Sequence, residues 1–209
     1  MTTTLISDTH GLHHQLQLIG GDLLIHAGDV SKYGNETEII NFLDWFKVQP
    51  YTYKIFIAGN HDWFFENATN ESIQTILPKN IIYLNDSGVE IEGFKIWGSP
   101  IQPTFFDWAF NRDRGEDINK HWQLIPTNTD ILITHGPPFG ILDKTIRGEN
   151  VGCEMLIKKI NHIKPKLHVF GHIHEAYGIE KINDTTFINA SVLNVKYQLV
   201  NEPIHINIK

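Results

Sequence analysis

The chain has 209 residues, 41% hydrophobic and 20% charged, an ordinary balance for a soluble globular protein with enough length to bury a full core. No apolar run approaches the roughly 20 residues that cross a bilayer, and the one cysteine, Cys153, excludes an internal disulfide or a thiolate metal cluster. A formal charge of −7 offers no basic stripe to a long nucleic-acid backbone, while a nucleotide-sized ligand stays open.

These bounds set the first expectations: a single domain over residues 1–209, no membrane contact and no long nucleic-acid partner. The first expected strand begins almost at Met1, which leaves no room for a leader, so the expected location is cytoplasmic. Cys153 reads as a small buried residue. The compositional oddity is twelve histidines against two methionines. Histidine is the commonest metal ligand and the acid/base residue of neutral pH, so their placement matters.

Residues 2–6 read as a strand ending in Ser7-Asp8-Thr9-His10-Gly11. In extended chain, positions i and i+2 share a side, so Asp8 and His10 can grip one ion together. A helix is expected over 12–19, with His13 and His14 exposed on or beside it. Residues 22–27 form a second strand, with His26 a satisfied core histidine and Asp29 just past the strand end. Over 35–47, Ile39, Ile40, Leu43 and Phe46 fall on one helical face. Residues 53–58 are a third, buried strand, followed by Gly59-Asn60-His61-Asp62. Asn60 offers a neutral oxygen, His61 a transferable proton or a hydrogen-bond donor, and Asp62 a carboxylate able to orient that imidazole. The alternation of strands and helices to this point implies a parallel sheet with crossover helices.

The pattern then changes. A helix over 71–77 closes at Pro78, and short strands over 81–84, 88–92 and 94–97 are separated by turn residues, as in an antiparallel meander. Residues 97–114 interleave Trp97, Phe105, Phe106, Trp108 and Phe110 with glycine and proline and fit no period. Most of these aromatics are expected to pack, with Asn111 and Arg112 the candidates for touching a substrate phosphate or base. A helix near 116–124 precedes a strand over 130–134 that ends at His135. A glycine-rich loop over 140–152 opens into a helix over 151–163. A strand over 166–170 ends in Gly171-His172-Ile173-His174, and the tail 177–208 reads as further short strands.

Five apolar strands thus end in five polar motifs, all expected at the carboxyl ends of strands in one sheet, where they would converge on one crevice. Together they supply two carboxylates, one amide and four histidines, with His61 beside the amide. That is enough for two metal ions and too many for one.

The ordered set Asp-x-His, Gly-Asp, Gly-Asn-His-Asp, His, Gly-His-x-His, spread over residues 8–174, resembles the calcineurin-like metallophosphoesterases. Thr134-His135-Gly136-Pro137-Pro138, the run from Gly171 to Gly178, and Ile188-Asn189-Ala190-Ser191 resemble a narrower branch. It comprises the metallophosphoesterase-domain proteins first known from foetal brain, which act as cyclic-nucleotide phosphodiesterases. The resemblance implies an α/β four-layer sandwich of two mixed β-sheets packed face to face and flanked by helices. It also implies roles. Asp8, His10 and His174 hold one divalent ion, Asn60, His135 and His172 a second, and Asp29 bridges both. His61 donates to the phosphate or protonates the leaving oxygen, and Asp62 orients it.

Such a pair of ions about 3.5–4 Å apart shares a hydroxide that attacks phosphorus. Four positive charges against Asp8, Asp29 and the hydroxide leave about plus one, which suits a phosphodiester monoanion better than a monoester dianion. The nitrogen and oxygen donors suit manganese, iron, zinc, cobalt or nickel without choosing among them, and manganese is the expected ion. The expected activity is hydrolysis of a small phosphodiester such as a cyclic nucleotide. The alternatives are a nuclease or a protein or phosphomonoester phosphatase on the same fold, or a non-catalytic scaffold.

Overall fold

Period-two alternation in the strands sets the layering of the computed structural model, which describes residues 1–209. In β1 (Thr2–Ile6), β2 (Gly21–His26) and β3 (Tyr51–Phe56), Leu5, Leu23, Ile25 and Ile55 face one side and Ile6, Leu24 and Phe56 the other. The three run parallel. A short β4 (Ile82–Tyr83) extends the sheet in parallel beyond β3, and β13 (Ile204–Asn207) closes the other edge antiparallel to β1.

The second sheet has the order β11 (Gly178–Ile182), β12 (Thr185–Asn189), β10 (Leu167–Phe170), β9 (Ile131–Thr134), β6 (Phe94–Ser99), β5 (Ser87–Ile91). Its inward row, Ile96, Ile131, Ile133, Leu167, Val169 and Ile188, packs against the inward row of the first sheet. A two-stranded ribbon, β7 (Gln102–Pro103) and β8 (Asn111–Arg112), stands apart.

Both outer faces are apolar too, so helices cover them. α1 (Glu36–Lys47) begins at an Asn35–Glu38 capping box and lays Phe42 and Phe46 on Phe56, with ring centroids 5.4 and 6.1 Å away. α2 (Trp63–Asn67) and α3 (Asn70–Ile76) follow β3. α4 (Glu116–Leu124) and α5 (Glu154–Ile163) pack together, and the Trp122 indole N–H points at buried Cys153 Sγ at 3.3 Å. This is the expected architecture of two mixed sheets flanked by helices.

Four local expectations change. The five motif strands do not share one sheet: β1, β2 and β3 lie in the first, β9 and β10 in the second. Strands buried on both faces read alike in either arrangement, so periodicity alone does not separate them. The segment over 81–84 pairs in parallel with β3 rather than joining the meander, which is confined to the β5–β6 hairpin. The expected helix over 12–19 is a single 3-10 turn, His13–Gln15, followed by extended chain. In that turn His13 is buried rather than exposed, its ring 5.0 Å from Trp45 and 5.6 Å from Phe42 under α1. α2 was not legible as a helix, being five residues long and aromatic.

The sheets are stitched where the site lies. Ser7 N–H donates to Ala190 O at 2.9 Å and Val192 N–H to Ser7 O at 3.1 Å, so the end of β1 is fastened to the chain leaving β12.

Candidate metal centre

Each motif leaves its strand through a sharp turn, and the backbone there departs from ordinary conformations. Asp8 (φ 55°), His10 (φ 41°), Asp29 (φ 56°) and His172 (φ 69°) all lie in the left-handed region. Such positions cost roughly 1–3 kcal/mol each and persist where surrounding structure fixes them. Here neighbouring turns supply the fixing bonds: Asp8 N–H donates to Gly28 O at 2.9 Å and His10 N–H to Asp29 O at 3.0 Å. Close approach also explains two motif glycines. A Cβ on Gly59 would overlap the Asp29 carboxylate and the His135 ring, and one on Gly171 would overlap Asp8 and Ser7.

The turns bring seven donors into two adjacent sets. In the first, His10 Nε2 is 3.4 Å from His174 Nε2, and His174 Nε2 is 3.5 Å from Asp8 Oδ1. In the second, His135 Nε2 and His172 Nδ1 each lie 2.9 Å from Asn60 Oδ1. Asp29 sits between them, its Oδ2 3.5 Å from His10 Nε2 and 3.4 Å from His135 Nε2.

The protonation pattern tests whether this set fits cations. His135 Nδ1 lies 3.0 Å from Ala27 O, and His174 Nδ1 3.0 Å from Asn194 O. A carbonyl only accepts, so both Nδ1 atoms carry a proton and both rings turn Nε2, the atom that binds a cation in the neutral form, inward. Those nitrogens face the Asn60 oxygen, the Asp8 carboxylate and another imidazole. Electron-rich atoms converging at 2.9–3.5 Å need positive charge between them. The set fits divalent ions held by nitrogen and oxygen.

The sequence profile described as calcineurin-like phosphoesterase matches residues 1–176. The chain belongs to that family. The human and mouse proteins named metallophosphoesterase domain-containing protein 1 are each 43% identical over 97% of this chain and 69% of their own length. Among solved structures, the phosphopantetheinyl hydrolase of Mycobacterium tuberculosis superposes with a TM-score of 0.65 at 15% identity, covering 98% of this chain and 95% of its own, a likeness of fold. As a calcineurin-like phosphoesterase, the chain is of a family of metal-dependent phosphoric ester hydrolases.

In this phosphoesterase, burial penalises the charge on Asp8 and Asp29, yet neighbouring imidazoles outweigh it and hold both carboxyls well below the usual range. Burial pushes His10 down to about 4 and His172 down to about 3, the neutral form a ligand needs. His135 and His174 go the other way. Burial opposes their charge, but Asp29 and Asp8 prevail and push both up.

Asp62 does not orient the His61 ring. Its buried carboxylate accepts from Gly59 N–H at 2.8 Å, Val30 N–H at 3.1 Å, Ser31 N–H at 2.9 Å and the Ser31 hydroxyl at 2.6 Å. It therefore locks the loop after β2 to the loop after β3, and with them Asp29 and Asn60. His61 is held by other partners: Nδ1 donates to Lys32 O at 2.8 Å, the ring lies 4.2 Å from Trp108, and its backbone N–H donates to Asp29 Oδ1 at 2.8 Å. Its Nε2 is left for the pocket.

That pocket is about 330 Å³ and includes His10, Asp29, Asn60, His61, His172 and His174 in its wall. Asn111 and Arg112 do not line it. Asn111 Nδ2 donates to Phe106 O at 3.0 Å, and Arg112 reaches Glu66 at 3.3 Å and His121 at 3.2 Å, so both brace the aromatic loop from behind. Phe105 and Phe106, expected to pack, are exposed at the pocket mouth. Tyr197 was missed altogether. It lies in the tail, its ring 4.8 Å from His10, and only its positive φ of 57° marks the position.

Proposed function

We propose that this chain is a dinuclear-metal phosphodiesterase of small substrates, cyclic nucleotides among them, working in the cytoplasm with manganese as the first ion to test. The observation that carries the reading is the pair of donor sets sharing Asp29, with Asp29 Oδ2 placed 3.5 and 3.4 Å from one histidine of each. Asp8, His10 and His174 would hold one ion and Asn60, His135 and His172 the other. Bound there, the ions would supply Lewis acidity toward a phosphoryl oxygen and activation of water at neutral pH.

The side chains define the rest. His61 turns Nε2 into the pocket while Nδ1–H is committed to Lys32 O, so it donates from Nε2 only as the imidazolium. In that state it can steady a phosphoryl oxygen or protonate the departing one. No lysine or arginine lines the pocket, and Glu175 adds negative charge beside it. A singly charged diester meets less resistance there than a doubly charged monoester, which supports the diesterase reading.

The test is hydrolysis of bis(nitrophenyl) phosphate and nitrophenyl phosphate by protein stripped with a chelator and then reloaded with manganese. Metal-restored cleavage favouring the diester is the expected result. A preference for the monoester would replace the diesterase reading with a phosphatase one.

A further inference from the structure

We propose that the mouth of this pocket is a pair of aromatic jaws that grip a flat ring of the substrate, so that the ester cleaved carries an aryl or heterocyclic arm. The proposal rests on the phosphoesterase reading of the pocket floor and adds the selectivity of that site. One jaw is the loop between β7 and β8, with Phe105 and Phe106 at its tip. The other is the turn over 194–198, with Tyr197. All three rings belong to the wall that also holds His10, Asp29 and His61.

Their exposure has no packing explanation. Phe105 is 57% exposed, Phe106 76% and Tyr197 45%, beside a floor that is almost wholly buried. Contiguous apolar surface of this kind beside a polar cleft marks a place where something binds. The two phenylalanine rings meet each other at 4.4 Å, edge to face, and Tyr197 stands edge-on to His10.

The backbone supports the same reading. Phe106 has φ 51° and Tyr197 φ 57°, a region bulky residues rarely enter. Each strained tip is held from behind by an asparagine. Asn111 Nδ2 donates to the carbonyls of Phe105 at 3.4 Å and Phe106 at 3.0 Å. Asn194 O accepts Tyr197 N–H at 2.8 Å, and its Oδ1 accepts from Lys196 at 2.9 Å and Gln198 at 3.1 Å. The same Asn194 carbonyl takes the His174 Nδ1–H, which ties this jaw to the floor. Tyr197 lies beyond residue 176, where the family profile stops. A ring held between aromatic faces is recognised by stacking, which needs a π-face and no particular pattern of hydrogen bonds.

The experiment is calorimetric titration of the manganese-loaded full chain with adenosine monophosphate and with ribose 5-phosphate, which keeps the phosphate and sugar but lacks the ring. The jaws predict that the nucleotide binds about tenfold tighter. Phe106→Ala and Tyr197→Ala should each erase most of that ratio, the loss falling on the nucleotide, while Tyr197→Phe keeps it. Equal affinities, binding of neither probe, or a ratio indifferent to both alanine variants would overturn the jaws. Turnover separates the two readings. Chelator-sensitive cleavage of methyl and phenyl phosphodiesters with equal kcat/KM would uphold the phosphoesterase and refute the jaws. An intact binding ratio with no hydrolysis of either ester would do the reverse.

Discussion

The floor and the rim of the pocket are built on opposite terms. On the floor, Asp8, His10, Asp29, Asn60 and His135 are at most 4% exposed, and each carboxylate is pinned by backbone N–H groups. At the rim, Phe105, Phe106 and Tyr197 stand in solvent, on turns where Phe106 and Tyr197 are strained and Asn111 and Asn194 brace the backbone. A buried set of this kind fixes where charge can sit and leaves little freedom. An exposed aromatic set can change its contacts at small cost to the fold. Chemistry therefore belongs to the floor and selectivity to the rim, the two joined where the Asn194 carbonyl takes the His174 Nδ1–H.

The sharpest break is on the floor. Asp29→Asn removes the one carboxylate shared by both donor sets, and turnover should fall on the order of a thousandfold, with bound manganese reduced. Full metal content with full turnover would dismiss Asp29 as the shared ligand. His61→Ala should leave manganese content as it is and lower kcat by roughly 100- to 10,000-fold, since it removes a proton donor and no ligand. Undiminished kcat would end that role.

Asp62→Ala separates holding from chemistry. It leaves the buried N–H groups of Val30, Ser31 and Gly59 without their acceptor, each lost partner costing about 1–3 kcal/mol. An unfolding free energy lower by several kcal/mol, read as a lower urea midpoint, is expected, and an unchanged midpoint would deny the buttress.

Acid should loosen the fold without reference to the rim. Burial lowers His168 to about 3 and His13 to about 4, from an ordinary 6.5. Below pH 6.5 the unfolded chain takes protons that the folded chain refuses, so stability is full above 6.5 and declines as pH drops toward 4. Each histidine contributes a slope of about 1.4 kcal/mol per pH unit. Unfolding curves that stay flat over that window would contradict the burial of these rings. At the rim, Phe106→Ser should move the unfolding free energy by no more than about 0.5 kcal/mol. A larger loss would make Phe106 a packing residue.

Much of this could be read along the chain. The apolar run in β1, β2, β3, β9 and β10 is a local property, and so is the polar motif ending each strand. Glycine at 59 and 171 was visible at the strand ends, though its reason, close approach to Asp29 and to Asp8, was not. Asp62 shows the limit of adjacency: next to His61 in sequence, it spends its carboxylate on residues 30, 31 and 59. His13 shows another, since a helical reading of 12–19 could not anticipate a ring drawn under α1.

The sequence by itself determined the donor inventory, the family and the apolar strands that carry the donors, because side-chain chemistry and apolar runs are written residue by residue. Tertiary structure decided which sheet each motif strand joins, which partner orients each imidazole, and that Phe106 and Tyr197 share one pocket wall. Those outcomes depend on packing between segments that meet only after the chain has folded. A contact made ninety positions away in sequence leaves no local period to detect.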